Sequence, residues 1–259
     1  MKPALFSRNG LTLSYIDLGD RKGYPLLTQH GLIASIEDTG LFDSLIQANA
    51  RVICIARPGY GQSTPYFLES YAEWADFVSP LLTELGLSRF DVLGMSSGAP
   101  YAYAIARKFS RELRNIHIFS GIPALYDDAV LAQWPFPAIK NQSIEALEVL
   151  AKELFFSWVK PDDMKKNDIR DSMMNDCFGV AQDLHLRFMD WGFSLADIRQ
   201  KVFMYHTRTD DSVPYRTAVR TAELLPDCSL ELADTGPHFS PETLDDFIKK
   251  TIVRNLPQE

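Results

Sequence analysis

The sequence predicts an α/β domain, a doubly wound and mostly parallel sheet that carries a helical cap as an insertion. Three observations support this. Short apolar runs alternate with segments of helical periodicity along most of the 259 residues. One run, Phe90-Asp91-Val92-Leu93-Gly94-Met95, leads into Gly-x-Ser-x-Gly centred on Ser96 and passes at once into the helical pattern APYAYAIARKF. Finally, residues 122–200 interrupt the alternation, and a structureless loop of that length is improbable in a compact domain.

Residues 11–17 read as an early strand, one possible arm of a hairpin, and 25–29 (PLLTQ) as a short buried strand. A helical pattern at 41–47 precedes strand 51–56 (RVICIA), which is rich in β-branched residues and stops at Pro58-Gly59. Helix 71–85 ends at Gly86; strand 90–95 and its helix follow, then strand 115–120 (NIHIFS). Beyond the interruption come strand 202–206 (VFMYH), helix 215–225, strand 229–232 and helix 244–253. Strands separated by helices imply βαβ units with helices on both faces.

Within the interruption, Ile144, Leu147, Leu150, Ala151, Leu154, Phe155 and Trp158 follow helical spacing behind Ser143 as an N-cap. Val180, Leu184, Phe188 and Trp191 share the face of a second helix. The expected organisation is therefore a core of residues 1–121 and 201–259, with 122–200 as a cap over the carboxyl ends of the strands. There is no internal repeat or low-complexity segment.

A net charge of −8 argues against nucleic acid or an anionic membrane surface as partner, since both demand clustered Lys and Arg. No apolar run approaches the roughly 20 residues of a membrane span. The opening MKPALFSRNGLTL shows no basic segment leading into an apolar stretch, so no signal peptide is expected. Cys54, Cys177 and Cys228 are scattered and odd in number, with neither metal spacing nor a disulfide framework, which fits a reducing cytoplasm.

The chemistry centres on Ser96. Its string alone is a weak signal, but strand and helix flanks make it a nucleophile elbow, a turn so tight that the hydroxyl stands clear of the sheet. The positions two before and two after the serine crowd one another, hence Gly94 and Gly98. The amide of Ser97 lies at a helix N-terminus, where an oxyanion would form. A serine hydroxyl needs a base held by a third group. Of five histidines, His238 lies in Thr235-Gly236-Pro237-His238-Phe239, a loop after the last strand, which presents it to the same rim. His117 and His185 read as structural. After strand 202–206, Asp210 and Asp211 both offer an orienting carboxylate. In Gln29-His30-Gly31-Leu32, the glycine lets the chain turn back so that the Leu32 amide can face the Ser97 amide.

Taken together, these motifs resemble the α/β-hydrolase superfamily, of the capped type with a serine nucleophile. The resemblance rests on His30-Gly31, Arg57-Pro58-Gly59-Tyr60-Gly61-Gln62-Ser63, the elbow, Asp210…Val213-Pro214 and Gly236-Pro237-His238. It implies Ser96 as nucleophile, His238 as base and Asp210 as acid, since the family's acid stands four residues before the proline. It implies an oxyanion hole from the Leu32 and Ser97 amides, and no cofactor or metal. Two positions depart from the pattern: Ala56 replaces a common acidic residue and Ala99 a common glycine. Serine at the elbow argues against haloalkane dehalogenases and epoxide hydrolases, which use aspartate.

The expected function is cleavage of a small, largely apolar ester or related acyl compound through an acyl-enzyme on Ser96. A small-molecule sensor with slow turnover, or a lyase or acyltransferase, uses the same triad. The cap aromatics Trp134, Phe136, Phe155, Phe156, Trp158, Phe188, Trp191 and Phe193 are candidates for an acyl pocket. Of these, Trp134, Phe136, Trp158 and Trp191, with His30, are the expected substrate contacts.

Overall fold

The computed structural model describes residues 2–257. Eight strands form one sheet: β1 (Ala4–Arg8), β2 (Leu11–Leu18), β3 (Tyr24–Gln29), β4 (Ala50–Ile55), β5 (Phe90–Met95), β6 (Leu113–Phe119), β7 (Lys201–Thr207) and β8 (Cys228–Ala233). Their order across the sheet is β1-β2-β4-β3-β5-β6-β7-β8. The β1–β2 hairpin closes on Asn9-Gly10, both at positive φ (51° and 78°), the backbone a two-residue primed turn requires. β2 joins β4 antiparallel, and from β4 to β8 every pairing is parallel.

Period-two alternation along the central strands builds two cores. Leu27, Ile53, Ile55 and Val92 face helices α2 (Tyr71–Glu84) and α3 (Ala99–Lys108). Leu26, Val52, Cys54 and Leu93 face α1 (Asp43–Gln47) and α9 (Pro241–Phe247). The chain therefore winds both ways, and it reverses direction between β3 and β5. In such sheets, ligands bind in the crevice outside the carboxyl ends of the strands at that reversal. Here those two ends carry the His30-Gly31 loop and Ser96.

The 122–200 segment contains α4 (Asp128–Leu131), α5 (Ile144–Ala151), α6 (Asn167–Met173) and α7 (Phe178–Leu186), and α8 (Tyr215–Glu223) follows β7. Ser143 caps α5 by accepting from the Ala146 amide at 3.3 Å. The α5 pattern does not stay α-helical to Trp158: it widens into a π-helical turn over Lys152–Phe156. The second expected cap helix is shorter than its apolar pattern. It ends at Leu186, and Asp190 then accepts from the Gly192 amide at 2.8 Å, with Gly192 at φ +78°. Phe188 and Trp191 thus leave the helix. Leu147, Ala151, Val180 and Leu184 pack together, whereas Leu186, Trp191, Leu195 and Ile198 join the core under α2 and α3. The end of the segment therefore packs as body rather than roof. Of the two helical patterns that cover the other face of the sheet, 41–47 opens with a 3-10 turn over Thr39–Phe42, and 244–253 starts earlier, at Pro241, and runs π-helical over Ile248–Val253.

Candidate active site

Ser96 sits between β5 and α3 at φ 49°, a left-handed conformation that costs a non-glycine residue energy and aims its side chain off the sheet. The glycines on either side answer to different neighbours. A Cβ on Gly98 would stand 2.1 Å from the Gln29 carbonyl oxygen on β3. One on Gly94 would stand 2.9 Å from Ala102 Cβ and Ala99 Cα. Mutual crowding is thus only part of the reason for them. The Ala99 methyl has room because Gly121 lies opposite, where a Cβ would come within 2.7 Å of it.

His238 Nε2 is 2.9 Å from Ser96 Oγ, and its Nδ1 is 2.7 Å from Asp210 Oδ2. A carboxylate only accepts, so the proton sits on Nδ1 and Nε2 is left free to take the serine proton. Asp210 Oδ1 accepts from the amides of Ser212 (2.9 Å) and Val213 (2.8 Å). Burial pushes the Asp210 carboxyl up, but the His238 hydrogen bond and charge, the Val213 amide and nearby His206 hold it below its ordinary range. Asp211 is exposed in the cavity wall and, among the described residues, accepts only from the Ser212 hydroxyl, at 3.1 Å.

His30 lies in the cavity wall, yet both ring nitrogens are engaged by backbone. Nδ1 donates to Gly31 O at 2.9 Å, and Nε2 accepts from the Arg57 amide at 3.3 Å. Burial and the adjacent Arg57 keep it neutral, with its pKa well below the ordinary histidine value. Its ring fixes the loop rather than offering a free donor. The Leu32 amide in that loop donates to no protein group among the described residues, and Ser97 N lies in the first turn after β5.

Above the rim is a cavity of about 1070 Å3 whose wall includes Ser96, Ser97, His238 and Leu32. From the insertion it takes Trp134, Phe136, Phe155 and Phe188, but neither Trp158 nor Trp191. Trp158 is 54 % exposed on the outer face beside Pro161, because the π-helical turn rotates it away from the α5 stripe. Trp191 is fully buried, edge-on to Tyr71 (5.3 Å between centroids) and Tyr126 (5.0 Å). Both tryptophans therefore leave the expected set of substrate contacts.

Several residues at the site were given no role by sequence reasoning. Arg57 donates to the carbonyls of His30 (2.6 Å) and Gly31 (2.9 Å) and pairs with Asp183 at 2.6 Å, both side chains buried. Asp183 also accepts from Tyr60 (3.0 Å) and Tyr101 (2.6 Å). Arg187, one turn further on at the C-cap of α7, lines the cavity beside Ser97. The signal was present: Val180, Asp183, Leu184 and Arg187 share one helical face, so two charges interrupt an apolar stripe. Of the remaining histidines, His117 bonds Asp91 at 3.0 Å in the sheet and His185 lies against Phe67, whereas His206 donates to Val213 O at 2.8 Å with the same nitrogen 3.2 Å from Asp210 Oδ2. No metal-binding cluster of three or more His, Cys, Asp or Glu occurs among the described residues, and none of their helices is long and apolar enough to cross a membrane.

A family model described as alpha/beta hydrolase fold matches residues 24–243. The chain is 25 % identical, over 89 % of its length and 86 % of the relative's, to 2-hydroxy-6-oxononadienedioate/2-hydroxy-6-oxononatrienedioate hydrolase 2 of Pseudomonas putida. Among solved structures it is similar to an esterase from Exiguobacterium antarcticum (TM-score 0.73, 18 % identity, 96 % of this chain and 100 % of that one). It is also similar to a meta-cleavage product hydrolase from Pseudomonas fluorescens (TM-score 0.66, 19 % identity, 95 % and 94 %).

Proposed function

The chain belongs to the α/β-hydrolase family, and from that premise we propose that it is a serine hydrolase of small acyl compounds working through an acyl-enzyme on Ser96. The observation that carries the reading is the unbroken line Asp210–His238–Ser96, at 2.7 and 2.9 Å, opening into a cavity walled largely by apolar side chains. Ser96 Oγ attacks the substrate carbonyl carbon while His238 Nε2 takes its proton. The carbonyl oxygen becomes an oxyanion held by the Leu32 and Ser97 amides, each such donor being worth roughly 3 kcal/mol. His238 then gives the proton to the leaving group as the bond to the acyl carbon breaks. Water, deprotonated by the same nitrogen, releases the acid and restores Ser96. Asp210 keeps the imidazole in the productive tautomer throughout.

Three features support an acyl substrate of modest size. The cavity has room for a small organic molecule, its roof is aromatic and aliphatic, and the names of similar proteins include an esterase and hydrolases of oxo acids. The test is labelling of the wild type and Ser96→Ala with a fluorophosphonate, followed by turnover of a panel of short esters. Labelling of the wild type alone, with ester turnover abolished in the variant, is the expected result. An unlabelled wild type, or a variant that still turns esters over, would overturn the reading.

A further inference from the structure

Two arginines approach Asp183, and only one of them receives its carboxylate. Oδ2 accepts from Arg57 and Tyr60, and Oδ1 from Tyr101. Arg187, at the end of α7, is left with the Asp183 main-chain oxygen and the Ser97 hydroxyl, each at 3.4 Å. Its residue is 8 % exposed, and it forms no ion pair among the described residues. A guanidinium carries five N–H donors in a planar fork and stays charged under all ordinary conditions, so most of this fork's capacity is unused. Burying a cation without a counter-charge is costly. Burial pulls the Arg187 guanidinium down from the ordinary arginine range and the charge of Asp183 offsets this only in part, whereas the buried Arg57, which receives the carboxylate directly, is held up by it.

The fork lies in the wall of the cavity that holds Ser96 and His238, one residue along the chain from the nucleophile through its Ser97 contact. The carboxylates that share the cavity wall do not neutralise it. Asp38 accepts from Asn167 at 3.0 Å, Asp168 from the Ile169 amide at 2.8 Å, and Asp211 is exposed. What this cation lacks is an anion supplied from the cavity.

The geometry points to Arg187 as an anion subsite that takes a free carboxylate on the acyl substrate, so that the compounds cleaved are of the hemiester class of short dicarboxylic acids. This rests on the serine-hydrolase reading and adds to it the charge of the substrate. A carboxylate matches the guanidinium fork with two parallel hydrogen bonds. Arg187 stands beside Ser97, so the bound carboxylate lies a short chain away from the carbonyl that Ser96 attacks. The surrounding apolar wall then accommodates the connecting methylenes.

Two measurements test it on the intact chain. The first compares kcat/KM for monomethyl succinate and for methyl pentanoate, in the wild type and in Arg187→Met. The wild type should prefer the hemiester, and the ratio should fall by about tenfold or more in the variant, mainly through KM, because charged hydrogen bonds are lost. A wild type that prefers the neutral ester, or a variant that lowers both substrates equally, overturns the subsite. Equal loss would mean the guanidinium acts on the oxyanion or on packing. The second needs neither turnover nor a folded variant: calorimetric binding of butyrate against butyramide to the wild type. Butyrate should bind more tightly, and less so as salt rises; equal binding overturns the subsite. Fluorophosphonate labelling separates the two readings. Labelling without a carboxylate preference keeps the hydrolase and removes the subsite. Absence of labelling removes the hydrolase, and the butyrate comparison still decides the subsite.

Discussion

The rim and the roof of the cavity are specified by different means. Ser96, Asp210 and His238 follow β5, β7 and β8, and each is placed by backbone: a turn at φ 49°, an acid clamped by the Ser212 and Val213 amides, a loop entered through Gly236-Pro237. The roof is placed by side-chain packing. Trp158 and Trp191 both sit on helical spacing in the sequence, yet one is 54 % exposed and the other fully buried. A backbone-placed group is tied to a local string of residues. A packing-placed one depends on partners far along the chain, such as Tyr71 and Tyr126 for Trp191.

The largest expected effect comes from removing the proposed nucleophile. Ser96→Ala should lower ester turnover by about 10⁴-fold or more, since loss of a triad member leaves only the residual catalysis of binding and the oxyanion hole. Circular dichroism and thermal unfolding should be nearly unchanged, because the serine protrudes from the rim. A comparable loss of both activity and fold would show that the rim is held by packing too, and would break the contrast.

Asp210→Asn should follow, with a loss in kcat of about 10⁴-fold, because an amide at that position favours the wrong imidazole tautomer. Asp211→Asn, one residue away and exposed, should stay close to the wild type. The reverse ranking would move the acid. The same residue predicts an acid limit to stability. Its native pKa is depressed below the ordinary 3.8. Its stabilising contribution is therefore complete above that value and is lost as pH falls through the lower native one. Urea unfolding of the wild type and Asp210→Asn between pH 6 and the acid limit, roughly pH 2, checks this: their stability difference should shrink as the pH falls.

The strand and helix order was legible because apolar period and turn residues are local. The elbow, the His238 loop and the stretch ending in Val213-Pro214 were legible because each couples a motif to a strand end. What stayed hidden was long-range. The fate of the apolar residues after Leu186 turned on the Asp190–Gly192 turn, which no helical periodicity reports. The hold of Arg57 on the His30-Gly31 loop depends on Asp183, 126 positions away in sequence. Arg187 was not legible because the helical pattern continues past it to Trp191, and a charge inside such a pattern reads as a solvated flank until its burial is known.

Trp191→Ala tests the packing side of the contrast. Removing a fully buried indole from beneath α2 and α3 should cost about 3–5 kcal/mol in unfolding free energy. Among molecules that remain folded, the preference between short and long acyl chains should not change, since Trp191 does not reach the cavity. A changed preference at unchanged stability would return it to the substrate pocket.

The smallest effect should come from Trp158→Ala, and its smallness is informative. Trp158 lies on the outer face, against Pro161 and with Lys166 Nζ 6.0 Å from its ring, so truncation removes little buried surface. Unfolding free energy should stay within about 0.5 kcal/mol, and chain-length preference should be that of the wild type. Phe155→Ala, three positions earlier and in the cavity wall, is the matched control. It opens the acyl space and should shift preference toward longer chains. The two residues belong to one apolar stripe in the sequence and are separated only by the π-helical turn over Lys152–Phe156. If both variants shift the preference alike, that turn does not divide roof from surface. If only Phe155→Ala does, it is the place where the cap's helical pattern stops reporting which side chains meet the substrate.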